Sequence, residues 1–231
     1  MGTSGFAYPD WAPLFYPAGT RGSGLLPVYA ARLNAVELNN TFYQQPKPER
    51  VAAWLAATPP EFRFVVKAQR GGSMRAFGSA AAQTVEWLTR PYRWFGERLG
   101  AVLFRVPGNV RRSDHHLRAL LATWPADLPI VTEFQHDSWH IDEIHRLLAD
   151  HGAVLCATDL DDRDPPDLRL TGRSIYLRLR RTTYSDNELA DWSDRLAAFL
   201  DAGTECFVFL RHDEGGKSAL RAMKLLELSA R

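Results

Sequence analysis

The chain has 231 residues, 45% of them hydrophobic and 24% charged, enough for one large core. A net charge of +1 removes any global electrostatic case for nucleic acid or membrane, so an argument from charge has to be local. No apolar run reaches the roughly 18 residues a spanning helix needs, and Met1-Gly-Thr-Ser-Gly-Phe6 lacks the basic and apolar regions of a signal peptide.

In chain order, Gly2 to Phe6 reads as a short first strand. Tyr8 to Pro27 is a long loop rich in Gly, Pro and aromatics, and long ordered loops in compact domains are usually functional. Leu25 to Leu33 suits a helix and Val36 to Asn39 a second strand. Pro48 opens a helix whose apolar stripe is Val51, Trp54 and Leu55, stopped at Thr58-Pro-Pro60. Phe64 to Gln69 is the third strand. Gly71-Gly-Ser73 predicts a loop, followed by a long helix from about Ser79 to Leu99 with Pro91 as its kink.

Ala101 to Val106 is the fourth strand, and Ser113 is placed to cap a helix over Asp114 to Trp124. Ile130 to Gln135 is the fifth strand. A helix follows from Trp139 to His151, closed by Gly152. Val154 to Asp159 is the sixth strand, and the acidic stretch Asp161 to Asp167 leaves little room for a helix after it. Ile175 to Arg180 is the seventh. Ser185-Asp-Asn-Glu188 is a capping box for a helix that Gly203 ends. Cys206 to Leu210 is the eighth strand, and Gly215-Gly216 opens a last helix. Cys156 and Cys206 both fall in apolar strand-like runs, so buried free thiols and a cytoplasmic location are expected.

A strand-then-helix unit recurring eight times in one domain of this length, residues 1–231, predicts an α/β protein: a single-domain (β/α)8 TIM-type barrel. A doubly wound open sheet is the alternative. It ordinarily carries a G-x-G-x-x-G loop after its first strand, and Gly2-Thr-Ser-Gly5 lacks that spacing.

The strands begin apolar and turn polar at their C-terminal ends, with Glu37 and Asn39, Lys67 and Gln69, Arg105, Glu133 and Gln135, Asp159, Arg178 and Arg180, then Arg211, His212 and Asp213. Charge inside a core costs several kcal/mol unless paired. In a barrel that end is where active sites lie. Basic groups outnumber acidic ones slightly, which favours an anionic ligand, with carboxylates left for proton transfer. A self-satisfied ring of ion pairs is the competing explanation.

Lys67 is the sharpest residue: a lysine walled by apolar neighbours can act as a base or a Schiff-base amine. Its plain alternative is an ion pair with Glu37 on the adjacent strand. Glu37 and Glu133 are the candidate general acid and base, Asn39, Thr41 and Tyr43 a pocket rim, and Arg105, Arg178 and Arg211 anion contacts. His136 follows the fifth strand as a rim residue or catalyst. Glu133, His136 and Asp159 offer ligand types for a divalent cation, but the nearby cations compete with it. No metal and no other cofactor is therefore assigned. Trp11, Phe42, Tyr43, Trp139 and Tyr184 sit on loops where they either stack on a base or sugar or roof the barrel.

Several of these segments together resemble the DUF72 (YecE-like) family: Gly2-Thr-Ser-Gly-Phe-Ala-Tyr8, Trp11, Phe15-Tyr16-Pro17, Val36-Glu-Leu-Asn-Asn-Thr-Phe-Tyr43, Phe62-Arg-Phe64, Lys67, Glu133-Phe134, His136, Ser138-Trp139 and Tyr184-Ser-Asp186. The resemblance runs nearly end to end. It implies a TIM-type barrel and a shared pocket of Glu37, Asn39, Thr41, Tyr43, Lys67, Glu133, His136, Trp139 and Asp159, with no established reaction. This chain departs from the family pattern in having Arg105 where Gln is usual, Gln135 where Arg is usual, and Ser73-Met74 in place of a Thr-His pair. Arg105 and Gln135 fall on neighbouring strands, so the two side chains are read as having traded places around one anion subsite. That reading requires the Arg105 guanidinium to lie beside Gln135 and Glu133.

Three functions follow as expectations. The first is an enzyme for a small phosphorylated or carboxylated substrate, using Lys/Glu acid–base chemistry. The second is a nucleic-acid enzyme or binder with Arg180, Arg181 and Arg211 on phosphates. The third is a non-catalytic binding barrel. No oligomeric state is assigned.

Overall fold

The computed structural model describes residues 1–78 and 80–230. Eight parallel strands form the wall of one barrel: β1 (Gly2–Thr3), β2 (Ala35–Leu38), β3 (Arg63–Lys67), β4 (Leu99–Val106), β5 (Ile130–Phe134), β6 (Val154–Asp159), β7 (Ser174–Leu179) and β8 (Glu205–Leu210). They neighbour one another in the order β1-β8-β7-β6-β5-β4-β3-β2. The ring closes through a bridge between Ser4 and Glu37, with the Gly5 N–H donating to the Glu37 carbonyl at 2.8 Å. Parallel strands covered on both faces read as nearly continuous apolar runs, which is how Phe64-Val-Val66 and Ile130-Val131 became legible as strands.

Side chains alternate between two cores. Ala35, Val65, Ala101, Leu103, Val131, Val154, Cys156, Tyr176, Phe207 and Phe209 fill the inside of the barrel. Val36, Phe64, Val102, Phe104, Ile130 and Leu177 point outward into a larger core under the helices. This alternation fixes which polar residue near each strand end faces inward.

The outer layer is α1 (Leu25–Ala30), α2 (Pro48–Ala56), α3 (Arg70–Ala76), α4 (Ala81–Thr89), α5 (Asp114–Thr123), α6 (Asp142–Asp150), α7 (Asp186–Asp201) and α8 (Lys217–Ser229). The capping box at Ser185 and Glu188 forms as expected. After β6 the chain runs to β7 without a helix, also as expected, and a cavity of about 570 Å³ lies on that side, lined in part by Leu155, Ala157, His140, His145 and Arg163. The ladder is short there: β5 and β6 pair only at Val131–Val154 and Thr132–Leu155. No described helix is long and apolar enough to cross a membrane. Both cysteines are free, Cys156 buried and Cys206 half-buried.

Four local expectations change. Gly71-Gly-Ser73 is helical, inside α3. The Gln69 side chain accepts the Gly72 N–H at 2.6 Å and so caps the helix. A Cβ on Gly72 would stand 2.7 Å from Leu88 and 2.8 Å from Trp87, so this glycine serves close packing of α3 on α4 rather than a turn. The expected long helix is α4 followed by a 3-10 segment, Arg90–Arg98, opened by Pro91; its expected start at Ser79 lies outside the described residues. Trp139 belongs to a 3-10 turn, Asp137–Trp139, and α6 begins only at Asp142. Ser113 holds the N-cap position of α5, but its hydroxyl meets His116 Nδ1 at 3.1 Å instead of a backbone N–H.

Closure of the ring depends on Gly2. A Cβ there would lie 1.8 Å from the Ala35 carbonyl oxygen, which belongs to β2 and cannot rotate away. Gly2→Ala is expected to lower unfolding free energy by on the order of 3 kcal/mol, read by urea denaturation. A change below about 0.5 kcal/mol would mean that β1 is not part of the cooperative wall.

Candidate active site at the barrel mouth

The C-terminal end of the barrel holds a buried charge cluster directly above the apolar interior. Glu37, inward from β2, has no exposed surface. Its Oε1 accepts from Ser4 Oγ at 2.8 Å and from Arg178 Nη2 at 2.9 Å, and its Oε2 accepts from the Tyr176 hydroxyl at 2.7 Å. Arg178, inward from β7, donates with its other Nη to Glu133 Oε1 at 2.5 Å. One guanidinium therefore bridges carboxylates on two strands, β2 and β5, neither of which is its own neighbour in the wall. Arg180 adds an outer link, donating to Ser4 Oγ at 3.1 Å.

These contacts set protonation states. Burial alone would push the Glu37 carboxyl upward, but Arg178 first, then Lys67, Arg180 and the Tyr176 hydroxyl, hold it down at about 2. Burial likewise opposes charge on Arg178, and Glu37 and Glu133 more than reverse that. Glu37 is thus a fixed anion with both oxygens engaged, which suits positioning better than proton transfer. Glu133 differs. Its Oε2 is buried without a hydrogen-bond partner and faces Arg105 Nε at 3.6 Å, beyond hydrogen-bond reach.

Lys67 points inward from the end of β3 and is 9% exposed. Among the described residues no carboxylate lies within ion-pair distance of its amine, so the expected pairing with Glu37 does not form. Arg178 has taken that place, because a guanidinium reaches two carboxylates at once and an ammonium does not. The Lys67 amine instead sits over the Phe42 ring, 4.6 Å from its centroid. Burial, then the charge of Arg178, lower its pKa to about 8, against opposing pulls from Glu37 and Glu133.

Arg105 and Gln135 meet the geometric condition set for them. Arg105 faces inward one step beyond Leu103, its Nη2 donates to Gln135 Oε1 at 2.7 Å, and its strand register places it beside Glu133. A cavity of about 370 Å³ opens here, lined by Phe42, Arg70, Ser73, Met74, Arg105, Pro107 and Asn109. Its lining contains two arginines and no carboxylate.

Other expected site residues lie elsewhere or have other work. Asp159 turns outward, because Val154 and Cys156 take the inward positions of β6; it accepts from Arg181 at 2.9 Å and from the Tyr184 hydroxyl at 2.8 Å. Trp139 is fully buried outside the barrel, stacked on Phe134 with centroids 4.6 Å apart, its indole N–H on the Val110 carbonyl. Thr41 is buried and ties its loop to β3, accepting the Lys67 N–H at 3.0 Å and lying 2.8 Å from the Lys67 carbonyl. His136 Nδ1 accepts the Ser138 N–H. Asn39 is half-buried beside Tyr8, while Tyr43 is 76% exposed. Arg211 is exposed and donates to the Arg180 carbonyl at 3.3 Å. Of the loop aromatics, Trp11 and Tyr184 are also buried. No group of three His, Cys, Asp or Glu among the described residues is arranged to hold a metal, and Glu133, His136 and Asp159 do not converge.

Two members of the cluster escaped sequence reasoning, Tyr176 and Ser4. The signal for Tyr176 was its parity: it lies two residues before Arg178 and so faces the same way. Ser4 gave no sign beyond standing at the end of the first strand.

Comparison with known proteins places this geometry among relatives. The family described as "Protein of unknown function DUF72" matches residues 1–231. The UPF0759 protein YunF of Bacillus subtilis (strain 168) is 22% identical over 251 residues, covering 92% of this chain and 89% of that protein. The UPF0759 protein YecE of Escherichia coli (strain K12) is 37% identical over 67 residues, 29% of this chain and 22% of that protein. A DUF72 family protein of Thermotoga maritima superposes with a TM-score of 0.87 at 26% identity, covering 100% of this chain and 98% of that one. One from Enterococcus faecalis superposes with a TM-score of 0.81 at 21% identity, covering 100% and 94%.

Proposed function

The chain belongs to the DUF72 family, whose shared barrel comes with no assigned reaction, and from that premise we propose that it is an enzyme acting on a small phosphorylated or carboxylated substrate at the C-terminal mouth of the barrel. The observation that carries this reading is Lys67: a buried amine, lowered to about 8, held on an aromatic face with no carboxylate in ion-pair distance among the described residues. A lysine that served only to balance charge would sit on Glu37 or Glu133, and Arg178 already does so. The neighbouring cavity offers Arg70 and Arg105 to an anion. Proton transfer falls to Lys67 and to the unpartnered oxygen of Glu133. Glu37 and Arg178 hold these groups in place.

A nucleic-acid substrate has less support. It would use Arg180, Arg181 and Arg211 on phosphates, whereas Arg181 is held by Asp159 and Glu188, and Arg180 by Ser4.

Mass spectrometry of small molecules co-purifying with the full chain tests the reading. Phosphorylated or carboxylated species are expected with the native protein and lost from Lys67→Ala and Arg105→Ala at unchanged fold. If both variants retain what the native chain carries, or if neither inorganic phosphate nor malonate raises the native Tm, the reading fails.

A further inference from the structure

We infer that Lys67 acts as a nucleophile, forming an imine with a small aldehyde or ketone that bears an anionic group. This rests on the reading of the mouth as an anion site and narrows the substrate to a carbonyl compound. Three features of the site support it.

The first is availability. Lys67 is 9% exposed, and no carboxylate lies within ion-pair distance of its amine among the described residues, so the amine is open to a ligand at the mouth. Burial and the guanidinium charges of Arg178 and Arg105 favour its neutral form, against Glu37, Glu133 and the Phe42 face, which favour the charged one. With its pKa near 8, the unprotonated fraction at neutral pH is on the order of a hundredfold above that of an exposed lysine.

The second is placement. Thr41 holds both the N–H and the carbonyl region of Lys67, so the backbone from which the side chain springs is fixed where β3 meets the mouth.

The third is a proton carrier and a charge receptor on the same rim. The neutral Lys67 nitrogen attacks the carbonyl carbon, a C–N bond forms, and the oxygen takes a proton. The nitrogen then loses a proton, a second proton reaches the hydroxyl, the C–O bond breaks, and water departs. In sum, one amine, one carbonyl and one proton become one iminium and one water. Glu133, whose charge acts on Lys67 and whose Oε2 has no hydrogen-bond partner among the described residues, would pass these protons, and Arg105 and Arg70, which line the neighbouring cavity, would hold the anionic group. No oxidant or reductant enters.

The test is reductive trapping on the full chain. Native protein is incubated with cyanoborohydride and either pyruvate or dihydroxyacetone phosphate, and the peptides are mapped by mass spectrometry. The other lysines, Lys47, Lys217 and Lys224, serve as internal controls. Expected is an adduct on Lys67 at least tenfold above those controls for one of the two probes, rising with a midpoint near pH 8 and absent from Lys67→Arg. Trapping at Lys67 no faster than at Lys47 and Lys217 overturns the inference. In that event, phosphate or malonate still raising the native Tm leaves the anion site standing, and neither doing so removes both.

Discussion

Arg178→Met is expected to lower folding stability by about 3–5 kcal/mol, because it strands two buried carboxylates that share one guanidinium. Methionine preserves most of the buried stem, so lost packing contributes little. The sharper signature is in pH. In the native protein the Glu37 pKa falls from 4.5 unfolded to about 2 folded. A depressed carboxylate contributes stability that is present above pH 4.5 and lost as pH drops toward 2. Without Arg178 the strongest of the groups that hold Glu37 charged is gone, and its folded pKa rises. The variant should then gain less stability than the native protein as pH rises from 4 to 7, a flatter slope. Urea denaturation at pH 4 and pH 7 compares the two. Adding Glu37→Gln to Arg178→Met should recover part of the loss, since a neutral amide needs no counter-charge. Equal slopes for native protein and single variant would show that Arg178 does not govern Glu37.

Lys67→Met should do the reverse: raise stability by about 1–2 kcal/mol at pH 7 while abolishing ligand retention and imine trapping. Native Lys67 is lowered from 10.5 to about 8 on folding, so its charged form is disfavoured in the folded state. The unfolded chain binds the extra proton between those values, and native stability therefore rises with pH from about 8 to 10.5. The full shift corresponds to about 3 kcal/mol. Loss of the help Lys67 gives to Glu37's negative charge offsets part of it. The difference between variant and native protein should shrink as pH climbs from 8 toward 10.5. A variant less stable than native at pH 7 would mean that the pull of the Phe42 face, Glu37 and Glu133 on the amine exceeds the cost of its burial.

Much of this was legible in the chain itself, for identifiable reasons. Strands covered on both faces announce themselves as apolar runs, and a lysine or glutamate at the end of such a run has few structural explanations. Glu37, Lys67, Arg105, Glu133 and Arg178 were found in that way. Parity failed where a strand is apolar on both faces. β6 gave no mark to say that Cys156 faces in, and so none to say that Asp159 faces out. Trp139 failed for the same reason, since a loop aromatic reads alike on either side of the wall. The pairing of Lys67 with Glu37 was expected because adjacent strands place them together. The bridge that forms instead joins β7 to β2 and β5 across the barrel's interior, a contact between non-neighbouring strands that no local pattern encodes.

That bridge bears on how the molecule opens. The wall has three thin places: the single bridge that joins β1 to β2, the two residue pairs that join β1 to β8, and the two that join β5 to β6. They leave two longer arcs, β2 through β5 and β6 through β8, with the two-residue β1 between them. Glu37 and Glu133 stand on the two outermost strands of the first arc, and Arg178 stands in the second. One side chain therefore links the two arcs across the interior of the barrel. Any sub-global opening that parts the two arcs has to break the Arg178 contacts to Glu37 and Glu133, and so also dismantles the mouth that holds Lys67.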